Sequence, residues 1–353
     1  MDFALSEEQT AIRDMARDFG RKRIAPYAQS WEEAGGIPRE VLAEAGALGF
    51  AAMYVPAELG GSGLSRLDAV LVFEALAEAC PAVSSFISIH NMCAWMIASW
   101  GTATAREAYL PGAAALTTIC AYCLTEPGSG SDAAALRTRA TRSGGDGSKG
   151  ISALLVDAPS PGLSFGAQEK KMGWKAQPTA QVQLDACPVP AANLLGAEGD
   201  GFKYAMAGLD GGRLNIAAAA LGGAQAALDK ALAYTGERRA FGHTLDKFQA
   251  LQFRLADMET ELQAARIFLY QAAWKLDGKA PDATKHCAMA KRLVTDTAFR
   301  VANDALQLLG GYGYLADYGI EKIVRDLRVH QILEGTNEIM RVIIARALLA
   351  ERP

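Results

Sequence analysis

In the string Gln331-Ile332-Leu333-Glu334-Gly335-Thr336-Asn337-Glu338-Ile339-Met340-Arg341 an acidic residue stands directly before Gly-Thr. In one reading Thr336 caps a helix and Glu334 is solvated. In the other, Glu334 sits at a turn among apolar residues, where desolvation raises its pKa toward that of a useful general base. A second string, Tyr122-Cys123-Leu124-Thr125-Glu126-Pro127-Gly128-Ser129-Gly130-Ser131-Asp132, runs a strand into a loop of small residues. Such a loop presents backbone N–H groups and hydroxyls, and glycine lets a ligand come close. Its spacing matches neither a Walker loop nor GxGxxG. It reads equally as an anion-holding loop or a plain surface turn. A third string, Arg238-Arg239-Ala240-Phe241-Gly242 with Gln249 beyond it, sits at a helix-to-helix connection. Paired arginines can grip a phosphate; at a helix C-terminus they are more often a solvated, dipole-matched end. Cys120 and Cys123 have the spacing of a redox or metal pair. No second CxxC or nearby His completes a zinc site, so reduced thiols in a partly buried strand are expected, and no metal.

Whatever these residues do, a folded frame must hold them. The 353 residues are 50% hydrophobic and 21% charged, ordinary globular material too long for one simple core. A net charge of −4 leaves no basic excess for nucleic acid. The apolar stretches are broken by charges, so no membrane span is expected. The opening Met1-Asp2-Phe3-Ala4-Leu5-Ser6-Glu7-Glu8 has neither a signal-peptide pattern nor a transit segment. The expectation is a bacterial cytoplasmic protein, or a mature chain of the mitochondrial matrix.

Helical signals fill the first third. Ser6 and Gln9 form a capping box before Ile12, Met15, Ala16 and Phe19. Pro38 suits N1 of a helix carrying Val41, Leu42 and Ala45. Leu67 to Cys80 and His90 to Trp100 read as apolar helices. The pattern then turns to β: residues 117–124, 150–156 and 180–185 read as strands. From Gly201 on it is helical again, with Leu214 to Thr235, Phe248 to Leu276, Asp282 to Leu309, and Asn337 to Leu349 behind Thr336. The fold class expected is α+β, mainly α.

Together the three strings, with Val55-Pro56-Ala57-Glu58-Leu59-Gly60-Gly61-Ser62-Gly63 and Leu309-Gly310-Gly311-Tyr312-Gly313-Tyr314, resemble the acyl-CoA dehydrogenase family from Leu5 to Ala350. The resemblance implies an N-terminal α-helical domain (1–115), a middle antiparallel β-barrel (116–198) and a C-terminal four-helix bundle (199–353). It implies a homotetramer, FAD bound partly across subunits, and electron-transferring flavoprotein as electron acceptor. By resemblance, Tyr122, Cys123, Leu124, Thr125, Gly130 and Ser131 hold the flavin, with Thr125 at its ring and Ser131 also facing the pantetheine arm. Arg238, Phe241, Gln249, Gln307, Leu308, Leu309, Gly310 and Gly311 would reach the FAD of a neighbouring subunit. Thr336, Asn337 and Glu338 match the turn on the adenine side. Asp210, Gly211, Gly212, Arg213 and Gly335 would touch the acyl-CoA, and Arg346 its nucleotide.

The chemistry implied is α,β-dehydrogenation, with Glu334 as base and its own N–H, beside a flavin ribityl hydroxyl, stabilising the enolate oxygen. Some members carry the base on the helix after the Arg213 region, but Ile216 to Gln225 holds no acid. The stretch Tyr312 to Tyr318, followed by Val324 to Glu334 with Leu333 where many relatives have Tyr, resembles the isobutyryl-CoA branch of valine degradation. Butyryl-CoA and 2-methylbutyryl-CoA compete, since one methylene shifts binding by only about 1–3 kcal/mol. An oxidase or monooxygenase on the same fold, and a flavin-poor acyl-CoA-binding subunit, are the other readings. One departure stands out: Arg142 runs straight into Ser143-Gly144-Gly145-Asp146-Gly147. The middle unit is thus two to three strands short of the family pattern, and it lacks an aromatic-Ile-Ser/Thr string to cover the flavin. Either a segment falls outside this sequence or it is lost; a turn-like Gly144–Gly147 favours the former.

Overall fold

The computed structural model describes residues 4–140 and 150–352. Met1 to Phe3 and the Gly144–Gly147 turn lie outside the described residues. Eleven α-helices are described: α1 (Glu7–Phe19), α2 (Ala28–Ala34), α3 (Arg39–Ala47), α4 (Arg66–Ala79), α5 (Pro81–Trp100), α6 (Ala103–Ala114), α7 (Gly201–Glu237), α8 (Gln249–Asp277), α9 (Ala283–Leu309), α10 (Ile320–Arg328) and α11 (Asn337–Ala350). The Ser6 capping box forms as expected, with Ser6 Oγ accepting from the Gln9 N–H at 3.1 Å. Pro38 is the cap of α3, one residue before the N1 expected. Helix α5 begins at Pro81 rather than near His90, because proline's missing N–H costs nothing in a first turn.

Helices α4 and α7 form the centre. Ala217 to Leu221 on α7 and Ala69 to Phe73 on α4 are wholly buried. The Gly222-Gly223 pair, a potential breaker, is a packing device: a Cβ on Gly222 would come 2.0 Å from the Glu74 carbonyl oxygen. Helices α8, α9, α10 and α11 complete the C-terminal packing around α7 and α9. No described helix is long and apolar enough to cross a membrane.

The β expectations need correction. Antiparallel pairing holds, between β1 (Ala153–Leu154) and β4 (Leu194–Leu195) and between β2 (Leu163–Phe165) and β3 (Val182–Leu184). A further pair, β5 (Arg239–Ala240) and β6 (His243–Thr244), follows α7. Among the described residues these are separate two-stranded sheets and no barrel closes. Closure requires every strand to have two neighbours. Residues 117–124 are not a strand; the nearest ladder-like pairing is a Glu126–Ser129 bridge. Among the described residues their β-forming side chains have no ladder to join.

The middle unit is tied to α10. The Trp174 N–H donates to Asp326 Oδ1 at 2.6 Å, and Trp174 Nε1 donates to His330 Nε2 at 3.2 Å. Asp326 is fully buried and is paired with Lys322 at 2.5 Å.

Candidate active site

After α10 the chain makes a single 3-10 turn and reaches Glu334 at φ +56° and Gly335 at φ +87°. A left-handed glutamate is strained, so the surroundings must impose it. They do so from two helices. Arg213 Nε on α7 donates to the Glu334 carbonyl at 3.4 Å. Lys291 Nζ on α9 donates to the Gly335 carbonyl at 2.9 Å and to Asn337 Oδ1 at 2.8 Å. Thr336 then caps α11 by accepting the Ile339 N–H at 3.3 Å. The capping half of the sequence reading holds, but the carboxylate is half-buried rather than freely solvated. Its Oε2 is buried with no hydrogen-bond partner. It lies so close over Gly212 that a Cβ there would be 2.5 Å from Oε2. Burial pushes the Glu334 pKa up to about 7, against the opposing pull of Arg213 and Lys291.

Gly208, Gly211, Gly212 and Asn215 share one face of α7 at helical spacing. Gly208 packs on Met96 and Met92, Gly211 on the Arg66 guanidinium, Gly212 on Glu334, and Asn215 donates to the Tyr54 hydroxyl at 3.0 Å. Arg66 lies over the rings of Tyr54 (3.6 Å) and Trp95 (4.7 Å). The Tyr122 hydroxyl is buried without a partner, and its pKa is raised by burial and by Glu334. Cys93 is raised by burial, with Glu334 among the charges acting on it. An apolar wall with a few convergent polar groups is the usual make-up of a small-molecule site. Arg213 is paired with Asp210 at 2.6 Å.

Sequence reasoning missed Arg66, Tyr54, Trp95 and Lys291. For Lys291 a signal existed: it follows Cys287 by four residues and precedes Val294 and Ala298 at helical spacing, so a lysine sits on an apolar stripe. For Arg66 there was none, since a residue at the start of a helix is normally solvated.

The 122–131 segment is a tight turn. The Glu126 N–H and Ser129 N–H each donate to the other residue's carbonyl at 3.0 Å. Glu126 accepts from the Arg137 and Thr138 N–H groups at 2.8 and 2.9 Å. Cys123, Thr125, Gly130 and Ser131 are exposed, while Tyr122 and Leu124 are partly buried. Space around Gly128 and Gly130 is open. Elsewhere, Arg238 and Leu308 to Gly311 meet in a cleft of about 390 Å³, walled by Tyr234, Leu245 and Tyr312. Arg238 lies over the Tyr312 ring at 5.4 Å. Gln307 is exposed beside it. Phe241 is 93% exposed and Gln249 is exposed; neither lines the cleft. Asn337 is buried, its amide donating to Asp296 Oδ1 (2.7 Å) and Thr295 Oγ1 (3.0 Å). Glu338 faces outward beside Arg341, and Arg346 is exposed on α11. An orphaned phenol, exposed hydroxyls on an open glycine turn and an arginine-walled cleft suit a large, polar, ring-bearing cofactor.

The family descriptions "Acyl-CoA dehydrogenase, N-terminal domain" and "Acyl-CoA dehydrogenase, C-terminal domain" match residues 6–117 and 199–349. The mitochondrial isobutyryl-CoA dehydrogenase of Dictyostelium discoideum is 47% identical over 373 residues, and that of Bos taurus 44% over 375; each covers 98% of this chain and 90% of the relative. The first match spans 373 aligned positions against 353 residues here, so at least 20 of them hold no residue of this chain. Among solved structures, a chain from structural work on the electron transferring flavoprotein of Acidaminococcus fermentans has TM-score 0.95 at 39% identity, covering 99% of this chain and 100% of that one. Butyryl-CoA dehydrogenase from Megasphaera elsdenii has TM-score 0.94 at 36% identity, with coverage of 99% and 100%. An FAD complex of PigA has TM-score 0.94 at 27% identity, covering both chains fully (100% each). The cofactor is FAD, and the chain belongs to the acyl-CoA dehydrogenase family of oxidoreductases.

Proposed function

We propose that this enzyme dehydrogenates isobutyryl-CoA to methacrylyl-CoA with Glu334 as the base. The observation that carries the reading is the half-buried Glu334 carboxylate, whose Oε2 is buried and unpartnered over Gly212. A hydrogen α to a thioester is weakly acidic. A carboxylate with a pKa near 7 is a stronger base than a solvated one, yet still ionised in part at neutral pH. Glu334 takes the α-proton, the Glu334 N–H steadies the enolate oxygen, and the C–C double bond forms as the β-hydrogen leaves as hydride. FAD, when bound, supplies the acceptor for that hydride. Tyr122 to Leu124, Thr125, Gly130 and Ser131 would hold its ring. Arg238, Phe241, Gln249 and Gln307 to Gly311 would hold the FAD of a neighbouring subunit in a homotetramer, and Thr336, Asn337 and Glu338 its adenine side. Asp210 to Arg213, Ser131 and Gly335 would line the acyl-CoA, with Arg346 toward its nucleotide.

Likeness to two isobutyryl-CoA dehydrogenases supports the short branched substrate; butyryl- and 2-methylbutyryl-CoA are the competitors. Electron-transferring flavoprotein is the acceptor we assign. Bacterial cytoplasm, or mitochondrial matrix in a eukaryote, is the compartment. The domain limits we assign are 1–115, 116–198 and 199–353, the middle one shortened near 142–143. Anaerobic titration of the purified protein with isobutyryl-CoA tests this. Flavin bands that bleach, with methacrylyl-CoA formed, support it. Bands that hold with isobutyryl-CoA but bleach with butyryl-CoA would replace the substrate. A colourless protein that binds acyl-CoA would favour the binding-subunit reading.

A further inference from the structure

Lys291 is the group near Glu334 that the mechanism above leaves without a role. It is completely buried in the middle of α9. A buried ammonium is costly unless its donors are met and its charge is balanced. Two of its hydrogen bonds go to neutral acceptors, the Gly335 carbonyl at 2.9 Å and Asn337 Oδ1 at 2.8 Å. Both acceptors lie within three residues of Glu334, where the backbone is left-handed. Asn337 is itself fixed by Thr295 and Asp296, the next turn of α9. Helix α9 therefore clasps the turn that carries the base.

We propose that Lys291 is a positioning residue for the dehydrogenation: its ammonium holds the Glu334–Gly335 turn in its left-handed form and keeps the neighbouring carboxylate ionised for proton removal. This rests on the reading of Glu334 as the base.

The charges around Glu334 favour a specific part for Lys291. From α7 comes Arg213, already matched by Asp210 at 2.6 Å. From α9 come Lys291 and Asp296, from α11 Glu338, from the preceding turn the buried neutral His330, from the 122 segment Tyr122, and from α5 Cys93. The hydrogen bonds of Lys291 go to neutral acceptors, and Asp296 and Glu338 act on it only at a distance and less than Glu334 does. Burial lowers its own pKa to about 8, and Glu334 pulls it back up. The same attraction, second to that of Arg213, pulls Glu334 down. A neutral side chain at 291 removes that pull, so Glu334 must titrate higher.

The test is the pH profile of kcat/KM for the FAD-loaded protein and its Lys291→Met, Lys291→Gln and Lys291→Arg variants. The Met and Gln variants should move the acid limb up by roughly one to two pH units. Gln, which can still donate to Gly335, should keep more of kcat at high pH than Met. Arg should leave the limb where it is. Thermal midpoints taken alongside separate folding from ionisation. A Met or Gln variant that loses thermal stability while its limb stays put overturns the proposal. If Met does not fold, Gln alone decides it. Glu334→Gln is the control for the underlying reading: turnover retained in that variant sinks the base assignment, whereas an inactive Glu334→Gln with an unmoved limb in Lys291→Gln sinks the clasp alone.

Discussion

Leu221 on α7 and Leu184 on β3 are the same residue type in opposite settings, 0% and 47% exposed. They typify two regions. Around Leu221, helices α4 and α7 interlock so closely that Gly222 admits no side chain. Around Leu184, two-residue and three-residue strands pair two by two, and Phe165, Val182 and Leu184 stay exposed. The helical frame fixes the Glu334 turn from two sides: Arg213 from α7, Lys291 from α9. The middle unit meets that frame through polar bonds at Trp174 and through a smaller apolar seam, in which Leu195 packs with Met92, Met96 and Tyr204. The base is thus placed by close packing on two sides, and the unit holding the 122–131 segment by directed bonds and a narrower apolar seam.

The largest effect should come from the frame's product, the base. Glu334→Gln keeps the volume and removes the proton acceptor. We expect turnover to fall roughly 10²–10⁴-fold, with an unchanged thermal midpoint or a slightly raised one. The sign of the latter follows from linkage. Glu334 has a folded pKa of about 7, above its unfolded value, so ionising it in the folded state is unfavourable and stability declines as pH rises toward and through 7. Wild-type kcat/KM should accordingly rise with pH through about 7, while thermal stability falls over the same range more than in Glu334→Gln. Stopped-flow reduction and calorimetry across pH 5 to 9 read both.

Next is the joint between the regions. Asp326 is fully buried, accepts the Trp174 N–H and pairs with Lys322. Asp326→Asn takes from the buried Lys322 its nearest carboxylate and leaves only Glu32 at 3.8 Å, a change worth up to about 3–5 kcal/mol. If directed bonds place the middle unit, protease cleavage between 150 and 198 should rise before the helices unfold. Cooperative loss of both regions would mean they are one folding unit. Leu221→Ala probes the frame itself, with an expected cost of about 2–5 kcal/mol in denaturant unfolding, because interlocked helices relax little into a cavity.

The same contrast explains what the sequence disclosed. Helices α4, α7, α8, α9 and α11 were legible because apolar spacing persists over many turns, and Ser6 and Thr336 act within three residues of themselves. Residues 117–124 were misread because their β-forming side chains say nothing about whether a ladder partner exists. Glu334 was legible through the Gly-Thr after it, but its burial depends on Gly212, more than a hundred residues earlier. Arg66 was hidden for a similar reason: what buries it is Tyr54, Trp95 and Gly211, and no local pattern links them.

The smallest effect should be at Leu184. Nearly half exposed on a three-residue strand, its side chain loses little water-excluded area in this chain alone. Leu184→Ala should change stability by no more than about 0.5 kcal/mol. An outcome of that size would confirm that the middle unit is held at its anchors rather than by its strands. A cost near that of Leu221→Ala would mean the exposed row of Phe165, Val182 and Leu184 is covered in the assembled, FAD-loaded protein. Repeating the measurement on the FAD-free protein would then tell cofactor from subunit: a cost that disappears without FAD belongs to the cofactor, and one that falls with protein dilution belongs to a second copy of the chain.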